Sequence, residues 1–269
     1  MAWWGKIVGG GFGFLMGGPL GAVIGAAFGH QFDQGLDQDF DGLGYQAQER
    51  TQLAFFSAVF SVMGHIAKSD GRVTSDEIEV ARTMMQQMSL DEQQKKVAIE
   101  LFNQGKQNDF DLDGVLHQFK QECRRHATLL QMFVEVLLHA AYADGVMHPK
   151  EKQLLKHITI TLGFSSIKFQ QLDDMVRAQR SFHEGGWQGG GQGYQQAPTR
   201  DMLKDAYAML NVSESSSDAE IKKSYRRLMN QHHPDKLVSK GMPEEMVKMA
   251  TEKTQEIKAA YELIKKSRK

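Results

Sequence analysis

Cysteine is almost absent from this sequence of 269 residues. The single Cys123 excludes a disulfide within the chain and indicates that its soluble part lies in a reducing compartment. The ten histidines form no H-E-x-x-H spacing, and there is no C-x-x-C pair, so neither a metalloprotease site nor a zinc ribbon is visible. A catalytic triad and a phosphate-binding loop are also missing. We therefore predict that the chain is not an enzyme.

An excess of positive charge is lacking as well. The formal net charge is −1 and the isoelectric point is about 6.8. These values argue against a soluble nucleic-acid-binding helical protein, whose binding would depend steeply on salt. Apolar residues make up 41% of the sequence, but they nowhere alternate with polar residues over a sustained run. The expected fold class is therefore all-α, with no nucleic acid among the partners.

Ionisable residues are missing between Ile7 and Gly29. As a helix, these 23 residues would extend about 34 Å at about 1.5 Å per residue, enough to cross the hydrocarbon core of a bilayer. Trp3 and Trp4 lie at the edge, where indoles anchor in the headgroup region. A secretory signal peptide has a shorter apolar region, of roughly 7 to 15 residues. Residues 1–30 are therefore predicted to form a single transmembrane helix.

The glycines of this segment fall at every fourth position. One face of the helix is thus almost without side chains, and a second backbone can approach it closely. A flexible glycine-rich tail would not keep this period. The stripe predicts a homodimer through the transmembrane helix, with the contact formed by Gly5, Gly9, Gly13, Gly17, Gly21, Gly25 and Gly29.

Residues 48–180 show helical periodicity and contain an internal repeat. The segment 64–77 aligns with 138–151, and in each copy an Asp-Gly turn is followed, seven positions after the Asp, by a Glu. This pattern resembles the TerB-like all-helical domain, a family suspected of binding metal through such acidic residues. The resemblance implies that the candidate oxygen ligands of a divalent cation such as calcium are Asp70, Glu77, Asp144 and Glu151.

The same acidic pattern has an ordinary structural interpretation, which we favour. Asp-Gly is common turn chemistry, and Thr74 and Glu77 make a capping box. Pro149 with Glu151 suits the first turn of a helix. Apart from this possible cation, no cofactor is predicted.

A basic amphipathic helix is predicted before a His-Pro-Asp tripeptide near the C-terminus. Ser217 and Glu220 form a capping box at its start, and Pro234 disfavours helical geometry at the residue before it. An apolar stripe at helical spacing faces the core and consists of Ile221, Tyr225 and Leu228. The remaining surface suggests docking of an acidic partner through Lys222, Lys223, Arg226 and Arg227.

The segments 205–212, 221–236 and 259–263 resemble, in order and spacing, the J domain of DnaJ-type co-chaperones. On its own, the tripeptide would be no more than a helix stop. The resemblance implies that the basic face, which then includes Asn230, docks onto a DnaK-type ATPase chaperone. It also implies that stimulation of ATP hydrolysis is carried by His233, Pro234 and Asp235.

A second helix is expected from Pro243 onward, antiparallel to the first. Four positions depart from the family pattern. Ala206 stands where an aromatic residue is usual, and Gln231 stands where a Lys is common. His232 replaces a common Tyr, and Thr254 a common Phe. These departures bear on affinity and on local packing.

A linker rich in Gly and Gln separates the two helical regions over residues 181–199, so the J domain occupies residues 200–269. About 16 flexible residues would reach roughly 20 to 24 Å and would let the J domain swing. The order of membrane span, TerB-like bundle, linker and J domain resembles the DnaJ-like membrane co-chaperones of Gram-negative bacteria.

The resemblance implies a co-chaperone anchored in the bacterial inner membrane by a single span. Because a DnaK-type partner needs ATP, we expect the N-terminus in the periplasm and the bulk of the chain in the cytoplasm. Lys6 before the span, with no further Lys or Arg until Arg50, weakly favours the opposite orientation. The alternative function is a membrane-anchored TerB-like cation sensor or adaptor in envelope stress signalling, with the J domain as its effector.

Overall fold

A computed structural model describes the chain over residues 18–29, 47–69, 75–88, 90–124, 126–142, 145–184, 200–239 and 247–268. All regular structure within these ranges is helical, and no strand occurs there. The predicted all-α fold class is thus confirmed.

The helices fall into an N-terminal group and a C-terminal group. The first group consists of α1 Gly18–Gly29, α2 Ala47–Ala67, α3 Ser75–Gln87, α4 Glu92–Gly105, α5 Leu112–Glu122, α6 Ala127–Ala141, α7 Pro149–Thr161 and α8 Ser166–Glu184. The second consists of α9 Arg200–Met209, α10 Asp218–His232, α11 Pro234–Val238 and α12 Val247–Ser267.

The N-terminal bundle is built around α2, which is buried on all sides from residue 51 to residue 64. A helix that is apolar around its whole circumference belongs inside a core. The ring of Phe55 packs edge-on against Phe119 of α5 and Phe133 of α6, with centroids 5.9 and 6.3 Å away. These aromatic contacts join three helices at the centre of the bundle.

Two glycines bring the backbones of α2 and α4 together. A Cβ atom on Gly64 would collide with the carbonyl oxygen of Phe102, and one on Gly105 would collide with that of Ser61. The hydroxyl of Ser61 turns back to donate to the carbonyl of Ser57 at 2.7 Å. Any larger residue at these two glycine positions would force α2 and α4 apart.

The internal repeat is confirmed by the helix boundaries. α2 ends at Ala67 and α6 at Ala141, while α3 begins at Ser75 and α7 at Pro149, so both copies keep the same spacing. The second turn includes Gly145, whose φ of 97° favours glycine.

The helix α1 covers the C-terminal part of the predicted membrane span. Leu20 is fully buried in the bundle core, and its backbone N–H donates to Oε1 of Gln118 at 2.8 Å. None of the helices described here combines the length and the apolar character needed to cross a bilayer. The first half of the predicted span lies outside the described residues.

The C-terminal group has the predicted helical hairpin, in which α10 packs on α12. The hydroxyl of Ser217 accepts from the backbone N–H of Glu220 and the Glu220 carboxylate accepts from that of Ser217, so the predicted capping box is confirmed. The rings of Tyr225 and Tyr261 stack with centroids 4.2 Å apart. The predicted start of the second helix at Pro243 lies outside the described residues.

Arg268, directly after α12, makes hydrogen bonds to two other parts of the C-terminal group. Its guanidinium donates to the hydroxyl of Tyr207 and to the carboxylate of Asp218, both at 2.8 Å. The end of α12 is thereby tied to α9 and to the start of α10.

The C-terminal domain lies against the bundle. Phe182 and Ala178 of α8 belong to the same apolar cluster as the C-terminal helices. Conversely, Leu237 of α11 and Ala250 of α12 belong to the apolar cluster of the bundle. The sequence predicted a J domain that swings on its linker and did not predict this contact. Residues 185–199 of the linker lie outside the described residues.

Candidate functional site

The His-Pro-Asp tripeptide marks a sharp change of direction between two helices. His233 has φ −62° and ψ 124°, an extended conformation that ends α10. The sequence predicted a loop here, but Pro234 instead begins the short helix α11, since proline suits the first position of a helix. Asp235 lies in the first turn of α11, where a carboxylate is favoured by the helix dipole.

The polar groups of the tripeptide are open to solvent. The side chain of His233 is 48% exposed and that of Asp235 91% exposed, and Nδ1 of His233 is 4.0 Å from Oδ2 of Asp235. Lys236 donates from Nζ to Oδ1 of Asn230 across the bend. The predicted site residues are thus gathered at one exposed corner.

The basic face of α10 leads directly into this corner. All its predicted members are exposed, namely Lys222, Lys223, Arg226, Arg227 and Asn230. The opposite side of the helix buries Ile221 and Leu228 in the core. This division leaves a positive surface available to an acidic partner.

The residues beside the tripeptide are covered by the bundle. Nε2 of His232 is 3.8 Å from Oε1 of Glu135 in α6. Nε2 of Gln231 donates to Oε1 of Gln131, also in α6, at 2.7 Å. Two departures from the family pattern, Gln231 and His232, are therefore among the residues that contact the bundle.

A buried polar cluster forms the centre of this interface. Glu135 pairs with Lys253 of α12, with Oε2 and Nζ 3.4 Å apart. Nε2 of Gln131 donates to Oε1 of Glu135 at 2.7 Å, and Nζ of Lys253 donates to Oε1 of Gln179 at 2.5 Å. Gln179 in turn donates from Nε2 to Glu256 of α12. Three helices thus contribute to one hydrogen-bonded unit, which we call the interface cluster.

The charges of the interface cluster alter the pKa values of Glu135 and of the neighbouring His232. Burial raises the pKa of Glu135, but Lys253 and then His232 outweigh it, so this pKa falls to about 2. Burial lowers the pKa of His232, and Lys253 lowers it further against the opposing effect of Glu135. At neutral pH Glu135 is therefore a carboxylate, and the imidazole of His232 is neutral.

Sequence reasoning missed the interface cluster. One signal could have pointed to it, since Glu135 is an ionisable residue in the middle of the apolar run of α6 and is buried there. A buried carboxylate needs a cation nearby. The sequence did not indicate which cation, because Lys253 lies in another domain.

The acidic metal candidates are placed only in part. Asp70 and Asp144 lie outside the described residues, as does the side chain of Glu77. Oε2 of Glu151 accepts from the backbone N–H of His148 at 2.8 Å, which is the predicted capping role. Within the described part of the chain, no group of three His, Cys, Asp or Glu side chains could hold a metal ion. Cation binding by these four residues stays a prediction.

The glycine stripe is also placed in part. Gly21, Gly25 and Gly29 lie in α1, whereas the stripe residues before them lie outside the described residues.

Cys123 is buried among apolar side chains, and burial raises the pKa of its thiol, so it is a protonated core residue.

Three segments of the chain match known protein families. Residues 205–269 match the DnaJ domain, residues 56–174 match the tellurite resistance protein TerB, and residues 1–39 match the transmembrane domain of the co-chaperone DjlA. The co-chaperone protein DjlA of Photobacterium profundum is 44% identical over 273 residues, covering 98% of this chain and 99% of the relative. The chain belongs to the DjlA family of co-chaperones.

Other members of the DjlA family are similar over the same length. The co-chaperone protein DjlA of Vibrio cholerae is 46% identical, covering 98% of both chains. That of Coxiella burnetii is 44% identical, covering 100% of this chain and 99% of the relative. No solved structure gives a significant match. The predicted resemblance to DnaJ-like membrane co-chaperones is thus confirmed, with a transmembrane domain, a TerB domain and a J domain in the predicted order.

Proposed function

We propose that this DjlA family member recruits a DnaK-type chaperone and stimulates its ATP hydrolysis through His233, Pro234 and Asp235. The observation that carries the proposal is the exposure of the tripeptide beside the basic face, at a corner of the J domain that is open to solvent. In this role the chain acts as a regulator of the chaperone.

ATP turnover by a DnaK-type chaperone in the presence of the detergent-solubilised full chain tests the proposal. His233→Gln and Asp235→Asn should each abolish the stimulation while leaving the fold intact, because both polar groups are exposed and no core depends on them. His117→Gln is a matched control, since His117 is an exposed histidine on α5 of the bundle. Stimulation retained by either tripeptide variant, with an unchanged circular dichroism spectrum, contradicts the proposal.

Docking of the chaperone would use the basic face of α10. Arg226→Ala should weaken binding, and added salt should weaken binding of the wild type, because exposed charges are screened. Arg82→Ala serves as the control, since Arg82 is an exposed arginine on α3 of the bundle. An affinity that depends neither on Arg226 nor on salt points to an apolar interface instead.

The family's transmembrane domain supports membrane anchoring. We place a single span in the bacterial inner membrane, with the N-terminus in the periplasm and the J domain in the cytoplasm, where the ATP-dependent partner is found. Protease added to intact spheroplasts should then spare residues 200–269. Digestion of the J domain before lysis overturns this orientation.

The glycine stripe would join two copies within the membrane. Gly17→Leu or Gly21→Leu should lower the yield of cross-linked dimer, because a large side chain blocks backbone approach. Gly10→Leu, off the stripe, should have a smaller effect. Equal yields for the three variants mean that the four-residue period has no role in assembly.

A further inference from the structure

The His-Pro-Asp tripeptide is held on both sides by residues that the bundle covers. His232, just before it, is 1% exposed, and Leu237, just after it, is fully buried. The helix α11 has 5 residues, too few to keep its geometry without packing. The orientation of the tripeptide therefore depends on how His232 and Leu237 are seated against the bundle.

Glu135 reaches both helices that flank the tripeptide. Its Oε1 is 3.8 Å from Nε2 of His232 in α10, and its Oε2 is 3.4 Å from Nζ of Lys253 in α12. Because α10 and α12 are the two arms of the J-domain hairpin, one carboxylate lies against both arms: it pairs with Lys253, and it contacts His232 beyond hydrogen-bond distance. α6, which carries Glu135, is buried from Leu129 to Leu138 and is thus a fixed reference.

Amide side chains fix the direction of the carboxylate. Gln131 donates to Glu135 and accepts from Gln231, both at 2.7 Å. Lys253 donates to Gln179 at 2.5 Å as well as pairing with Glu135. These bonds are satisfied together in one seating of the J domain. A shift along α6 would break these bonds and leave their buried donors and acceptors unpaired, which is unfavourable.

Stability alone does not explain a polar cluster at this place. A buried ion pair adds little compared with apolar residues of the same volume, because desolvation offsets the attraction. Apolar residues would hold the J domain on the bundle equally well but would not select one orientation. Directional hydrogen bonds and charges do select one.

We propose that Glu135 is a positioning residue for the stimulation of the chaperone. Acting through His232 and Lys253, it sets the orientation in which the tripeptide meets the chaperone bound on the basic face. The inference rests on the proposed function and gives the TerB-like bundle a part in it. Docking of the chaperone and stimulation of its ATPase are then separable, since the first uses exposed charges and the second needs the seated J domain.

Glu135→Gln in the full chain tests this role, because it keeps the shape of the side chain and removes the charge. The maximal stimulated ATP turnover should fall about fivefold, the size of effect expected for a residue in a contiguous coupling network. The half-saturating concentration of the chain should change less than about twofold, because the basic face is intact. Glu92→Gln, on an exposed carboxylate of α4 that is 84% accessible, should change neither value.

His232→Phe provides a second test that leaves the Glu135–Lys253 pair in place. It should reproduce the loss of maximal turnover, and the double variant with Glu135→Gln should lose little more, because both changes break one link. Wild-type turnover in either single variant overturns the inference, as does a loss confined to the half-saturating concentration. If the wild-type chain itself gives no stimulation, the proposed function fails instead.

Discussion

The two buried repeat helices, α2 and α6, carry residues of different size at corresponding positions. Ser61 and Gly64 of α2 occupy the places that Glu135 and Leu138 occupy in α6. The small residues let the backbone of α4 approach at Gly105. In α6, Leu138 is instead buried in the core of the bundle, and Glu135 meets side chains of the J domain.

The difference shows how one scaffold supports two kinds of contact. The α2–α4 contact depends on the absence of side chains and is tight because nothing lies between the backbones. The contact of α6 with the J domain depends on paired charges and requires a partner with matching groups. A histidine follows at the same place in both copies. His65 packs against the ring of Phe110 at 5.3 Å, whereas His139 lies beside Lys253 and Gln179.

The strongest way to break the α6 contact is Lys253→Met. This change leaves Glu135 buried without its cation, which costs about 3 to 5 kcal/mol for pairs of this kind. The α12 amides of the full chain should therefore lose protection against hydrogen exchange. The double variant Glu135→Leu with Lys253→Met should recover most of it. If the double variant has as little exchange protection as Lys253→Met, the unpaired charge of Glu135 is not the cause of the loss.

The α2–α4 contact should be broken by Gly105→Ala. The added Cβ would collide with the carbonyl of Ser61, so the helices must separate, at a cost of about 1 to 3 kcal/mol. Exchange protection should fall in α2 and α4 and stay unchanged in the interface with the J domain. Equal losses in both places mean that the two contacts are not independent.

Lower pH should weaken the contact of α6 selectively. Burial lowers the pKa values of His139 and His232, so the docked state keeps both imidazoles neutral. Below the ordinary histidine pKa of about 6.5 the undocked state binds more protons. Docking is therefore strongest above that pH and is lost progressively as the pH falls.

Exchange protection of α12 at pH 7 and pH 5.5 measures this effect. His232→Phe removes one of the titrating groups and should flatten the pH dependence. A steeper dependence in His232→Phe, or none in the wild type, contradicts the assignment of neutral imidazoles.

The smallest predicted effect tests why a position requires glycine. The reason is either that a Cβ atom would collide with a neighbour or that the backbone has a positive φ. Gly145, in the turn of the second repeat, has open space around it but a φ of 97°. Gly145→Ala should cost about 1 kcal/mol through conformation alone. A thermal unfolding midpoint lowered as far as by Gly105→Ala would show that the turn is more constrained than its surroundings indicate.

The sequence by itself determined the features that depend on neighbouring residues. The helical class, the repeat boundaries, the capping box at Ser217 and the exposed basic face of α10 all follow from spacing within a few turns. Short-range hydrogen bonds and helical periodicity carry this information, and the resemblance to a J domain is read from the same local motifs.

The tertiary structure alone decided which surfaces meet. Glu135 and Lys253 are far apart in the chain, and no local periodicity connects a carboxylate in α6 to a lysine in α12. The departures Gln231 and His232 reduced the match to the J-domain pattern, yet in the fold both contact the bundle. The role of Gln231 follows from desolvation, because an amide removed from water requires a specific partner, and only the packed chain supplies Gln131.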